Sequence, residues 1–130
     1  VRTVTPAKLK ALRAHVKSEA AAVKAQDASG RTELLGDFHV RIAEPMGNDV
    51  LAQLLRDLIS RCALITLMYQ SASEAAHSHD EHAEIVAAMA ARDEDLAVQL
   101  MHAHLQHVEA SLTFDRERPA NALSMALSSF

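Results

Sequence analysis

The chain has 130 residues, enough for one domain with a core of its own and too few for two ordinary ones. It is 49% hydrophobic and 23% charged, the balance of a globular protein, and holds only 3 Phe and 1 Tyr, so its core must be aliphatic. A formal charge of −4 without a Lys/Arg cluster argues against nucleic-acid binding by this chain itself, and the single Cys62 excludes an internal disulfide or a thiolate-rich zinc site. No apolar stretch approaches the roughly twenty residues that span a bilayer, so no membrane role is expected. Cys62 lies in an apolar run that predicts a buried free thiol, and the expected location is the reducing cytoplasm. The opening Val1-Arg2-Thr3-Val4 lacks both Met and a signal peptide, which suggests a fragment of something longer.

Thr5-Pro6 reads as a helix cap followed by Pro at the first helical position, and Leu9, Leu12, Val16, Ala20 and Val23 share a face, so helix A is expected over about 6 to 26. The cluster Asp27-Ala28-Ser29-Gly30 breaks it, and Leu34, Leu35, Phe38, His39 and Ile42 mark helix B over about 31 to 44, halted by Pro45. After the turn at Gly47-Asn48-Asp49 comes the longest apolar segment, helix C from Val50 to about Ser71. It is apolar around much of its circumference, which places it centrally or between the core and a second subunit. Ser78-His79-Asp80-Glu81 has the form of a capping box and starts helix D at about His79, with Ile85, Val86 and Met89 on its inner face. Asp93 caps helix E, which runs to about Thr113, and a short helix F through Leu123 and Leu127 is conceivable in the tail. Residues 48 to 118 contain no Gly or Pro and no segment alternates with period two, so the fold is read as all-α, a single-domain antiparallel bundle of five to six helices.

Histidine is the outlier, with six of the eight between residues 77 and 107. On a helix, His39 falls beside Leu35 and Ile42, His82 in line with Ile85, Val86 and Met89, and His104 between Leu100 and Val108. Three helices each aim an imidazole inward, which is the ligand type of a divalent transition metal, zinc above all; core histidines bonded to backbone carbonyls are the alternative. His102 and His107 read as surface residues. Arg61, on the face of Leu54, Leu58, Ile65 and Met68, needs an anion to offset desolvation, either a ligand carboxylate or a structural ion-pair partner, and Tyr69 adds a hydroxyl two turns on. A ferritin-like di-iron site needs two Glu-x-x-His pairs and the chain offers one, Glu74-x-x-His77. Nucleophilic catalysis has no support, since there is neither a Gly-x-Ser-x-Gly turn nor a Gly-rich loop. A three-histidine zinc keeps a hydrolase formally open but lacks a general base, because Glu81 reads as a capping residue.

The run Leu35-Gly36-Asp37-Phe38-His39-Val40-Arg41-Ile42-Ala43-Glu44 with Gly47-Asn48, the Asp80-Glu81-His82 helix, and Met101-His102-Ala103-His104-Leu105 together resemble the FCD domain. That domain is the ligand-binding C-terminal half of FadR-type GntR transcription regulators. The likeness runs from about Thr5 to Leu112. It implies an all-α dimeric bundle that binds a small carboxylate effector near a metal held by an Asp and three His. Carried over, the histidines are His39, His82 and His104, while the acidic position one turn earlier is Leu35 here. Asp37 points about 160° away from His39 and does not replace it. Three options stay open: a three-histidine metal completed by water or effector, a fourth ligand from His79 or else His77, or a metal-free site working through imidazoles and Arg61. The metal would be Zn, with Ni, Mn or Fe as alternatives. The family's N-terminal winged helix-turn-helix and its first FCD helix are not in this sequence, so DNA would be met only through an absent domain. The expected function is therefore effector sensing by a homodimeric, non-enzymatic domain of a bacterial regulator; the alternatives are a metal-dependent enzyme of the helical-bundle type and a metal-free dimerisation bundle.

Overall fold

The computed structural model describes residues 1–112, and the tail expected to carry helix F lies outside the described residues. Each helix begins where a side chain accepts an otherwise unpaired backbone N–H. Thr5 accepts from Lys8 at 3.3 Å and Pro6 fills the first position of α1 (Pro6–Lys24). Asp27 accepts from Gly30 at 2.9 Å, so α2 (Ala28–Ala43) starts three residues earlier than expected at 31, with Gly30 in its first turn. A single 3₁₀ turn (Glu44–Met46) around Pro45 ends at Gly47, whose φ of 70° is the left-handed conformation that favours glycine. Asn48 accepts from Leu51 at 3.0 Å and opens α3 (Asp49–Tyr69). Asp93 accepts from Leu96 at 3.0 Å and opens α5 (Glu94–Ser111).

The fourth helix corrects the sequence reading. It spans Ala72–Ala90 and begins two turns before His79. Its capping box is Ser71 with Glu74: the Ser71 hydroxyl accepts from the Glu74 N–H at 3.2 Å, and the Glu74 carboxylate accepts from the Ser71 N–H at 2.6 Å. Ser71-Ala72-Ser73-Glu74 has the same Ser-x-x-Glu form as Ser78 to Glu81, and the alanines between the two are strong helix formers, so the earlier box wins. Ser78 and Glu81 are thereby released into mid-helix.

All the described elements are helical, as an all-α bundle requires. α1, α2 and α4 pack on one another, α5 packs on α4, and α3 packs mainly on α2. The core lies between α1, α2, α4 and the start of α5, and is built from Val4, Leu12, Val16, Phe38, Ile85, Val86, Ala88, Met89 and Ala97. No described helix is long and apolar enough to cross a membrane.

α3 is not central. Ala52 is its only buried residue, while Val50, Leu54, Leu58, Leu64 and Ile65 stand exposed. It packs along α2, and closely at Gly36, where a Cβ would come within 2.6 Å of the Ile59 side chain. Two expectations fall with its placement. Cys62 is exposed rather than buried, and Arg61 is exposed, so the desolvation that seemed to demand an anionic partner is absent.

Candidate metal centre and adjoining cavity

His39 on α2, His82 on α4 and His104 on α5 meet at the edge of the core. The Nε2 atoms of His82 and His104 are 3.1 Å apart, and those of His104 and His39 are 3.4 Å apart. His82 and His104 are each 1% exposed. Phe38, the residue before His39, stacks flat on the His82 ring with centroids 3.7 Å apart, so one dipeptide supplies both an imidazole and the plate that orients a second.

The far side of each α4 and α5 ring is held by a carboxylate. His82 Nδ1 lies 3.0 and 3.1 Å from the two oxygens of Glu19, and His104 Nδ1 lies 2.7 Å from Glu81 Oε2. An imidazole that donates its Nδ1–H to a carboxylate turns the lone pair of Nε2 outward. With both rings in that tautomer, His82 and His104 present lone pairs to each other at 3.1 Å, an arrangement that a cation between them would satisfy. Nitrogens ligated at 2.0–2.1 Å in a tetrahedral zinc site lie about 3.3 Å apart, close to the observed separations. A carboxylate behind each imidazole is also the usual support of a metal-binding histidine.

The charge states agree with this donor set. Burial pushes the His39 pKa down to about 3, with His82 and His104 adding repulsion, so its ring is neutral at neutral pH. Burial likewise lowers that of His82, against the pull of Glu19. Burial alone would raise Glu19, but hydrogen bonds from His15 and His82 outweigh it and hold the carboxyl below its ordinary value. Glu81 is lowered in the same way, its burial overcome by His107 and His104.

The three Nε2 atoms open on a cavity of about 490 Å³ between α2, α3, α4 and α5. Its wall is mostly aliphatic, with Leu35, Leu51, Leu55, Ile59 and Met101 among the lining residues. Besides the imidazoles its polar side chains are Cys62, Thr32, Thr66, Gln70 and Ser78, and among the described residues neither Lys nor Arg lines it. Gln70 Oε1 is buried without a hydrogen-bond partner.

The structure distributes the remaining expected site residues differently. Leu35 is buried in the cavity wall, so no acidic side chain joins the three rings from that position. His79 faces Glu19 Oε2 at 3.3 Å and stands outside the mutually close trio. Arg61 and Tyr69 do not line the cavity. His107 is a surface residue, as expected, and bonds to Glu81.

Three participants escaped the sequence reading. Glu19 is fully buried and gathers His15, His79 and His82. It falls one turn after His15 and Val16 on the apolar stripe of α1, and a carboxylate on such a stripe was the available signal. His15 bonds to Leu34 O at 2.9 Å and to Glu19 Oε1 at 3.3 Å; the Glu19 bond, chiefly, raises its pKa. Glu81, assigned to a cap, instead orients His104.

A family model described as the FCD domain matches residues 1–107, a span that includes every side chain of the trio and both supporting carboxylates. No curated protein matches the chain, and no solved structure does.

Proposed function

The chain belongs to the FCD domain family, the ligand-binding domains of regulators, and from that membership we propose that it senses a small organic acid for a GntR-type bacterial transcription regulator. His39, His82 and His104 would hold a divalent cation, zinc first and nickel, manganese or iron as alternatives, with Glu19 and Glu81 fixing the ring tautomers. Such an ion supplies positive charge to a carboxylate oxygen.

The observation that carries the reading is the charge inventory of the cavity. A space of about 490 Å³ suits a small metabolite, and among the described residues its lining offers no Lys or Arg to neutralise an acid. Among the described residues, the three-nitrogen end, once it holds a cation, is where an anion would find compensation. Aliphatic side chains of α3 would take the hydrocarbon part, and Gln70 Oε1 leaves an acceptor for a donor group on the ligand.

Transmission would run through α3. One side of this helix walls the cavity with Leu51, Leu55 and Ile59, while Leu54 and Ile65 face outward and suit the interface of a homodimer. An acid that binds one placement of α3 better than another shifts the dimer, and with it any DNA-binding domain joined to the chain.

The test is thermal melting of the zinc-loaded chain with a panel of small mono- and dicarboxylic acids. A true effector at about 100 times its Kd stabilises by about 2.7 kcal/mol. The same acid is expected to leave His82→Ala unshifted. Stabilisation that persists in His82→Ala would contradict recognition through the trio.

A further inference from the structure

Glu81 faces two ways. Its Oε2 accepts from His104 Nδ1 at 2.7 Å, towards the buried trio. Its Oε1 lies 3.2 Å from His77 Nε2 and in close contact with His107 Nδ1, towards solvent. We propose that His77, Glu81 and His107 form a second, surface site for a divalent transition cation of the zinc, nickel or copper kind, distinct from the three-histidine centre.

The helices bring the three together. His77 and Glu81 are four residues apart on α4, hence one above the other on a single face. His107 arrives from α5, which packs against α4. One ligand atom from each residue lies within 4.8 Å of the others, and the two rings are 5.3 Å apart and tilted at 46° rather than stacked. The imidazoles line a surface hollow of about 200 Å³ with Ser73 and Ser111, so an ion reaches them from solvent and water completes its shell.

Chemistry and accessibility select the class of ion. Two imidazoles and one carboxylate suit borderline cations, whereas calcium and magnesium favour all-oxygen sets. His77 and His107 are 61% and 56% exposed at the side chain and Glu81 13%, so two exposed rings flank one carboxylate anchored by His104. Hydration competes at such a site, and it should bind more weakly than the buried trio. A cation on Oε1 also withdraws electron density from Oε2 and loosens its hold on His104. Filling the outer site is thus expected to weaken the inner one.

Equilibrium dialysis of the chain against a zinc series, read by elemental analysis, tests this independently of the effector reading. The wild type is expected to take up one more equivalent at high zinc than the double variant His77→Ala/His107→Ala. Both substitutions are at exposed positions, and circular dichroism checks that the fold persists. Wild type and double variant with the same stoichiometry across the series would overturn the outer site. His82→Ala probes the inner site separately: it should lose the tight equivalent and keep the weak one. An outer equivalent found without any tight one would uphold this inference and remove the three-histidine centre.

Discussion

α3 and α4 are similar in length, 21 and 19 residues, and opposite in character. α3 carries nine Val, Leu and Ile residues to the two of α4 and buries only Ala52, whereas α4, rich in Ala, Ser and His, buries seven residues. Burial here follows the neighbours a helix has rather than its hydrophobicity. The small side chains of α4 let α1 and α5 pack against it, leaving room for imidazoles that hydrogen bonds then satisfy. α3 leans mainly on α2, with the cavity beneath it and an apolar face outside. One helix is a frame for imidazoles and the other a wall of the cavity.

Substitutions on the frame should break this contrast most visibly. Ile85→Ala removes a fully buried α4 side chain and is expected to cost about 2–5 kcal/mol, measured by denaturant unfolding. Next is Glu19→Gln, which takes the charge from a buried acceptor shared by three imidazoles. It should cost about 1.5–3 kcal/mol and reduce zinc affinity about 10–100-fold, read by unfolding and by competition with a chelator.

A smaller, pH-dependent effect is expected at His15. Its folded pKa is raised above 6.5, chiefly by the Glu19 bond, so the stability it contributes is fully present below 6.5 and lost as pH rises through the folded value. The stability difference between wild type and His15→Gln should be larger at pH 6 than at pH 9. A difference that grows with pH would place the ring in another role. The smallest effect belongs to the wall: Leu54→Ser on the exposed face of α3 should change monomer stability by no more than about 0.5 kcal/mol. If that face joins two subunits, the same change should shift the protein towards monomer in sedimentation.

Local signals read well where they were unopposed. Thr5-Pro6, Asn48 and Asp93 begin helices within a residue or two of expectation, because a cap needs only its own turn. The start of α4 was misread because two Ser-x-x-Glu patterns compete and only one starts the helix. That error hid Glu81 behind a capping role. Helical periodicity turned His39, His82 and His104 inward, and their Nε2 atoms do meet. Periodicity is silent on what lies behind a ring, so Glu19, 63 residues from His82, was not paired with it. The burial of Arg61 and Cys62 was inferred from the apolarity of α3, but burial depends on which helices cover that face, a fact that no single helix contains.

The most direct measurement of the central claim is the metal content of the chain after zinc loading and exhaustive dialysis against metal-free buffer. Three converging imidazoles, two of them buried and backed by carboxylates, should retain one equivalent in the wild type and lose it in each of His39→Ala, His82→Ala and His104→Ala. A wild-type protein that emerges without metal, and melts at the same temperature with and without added zinc, would contradict the account.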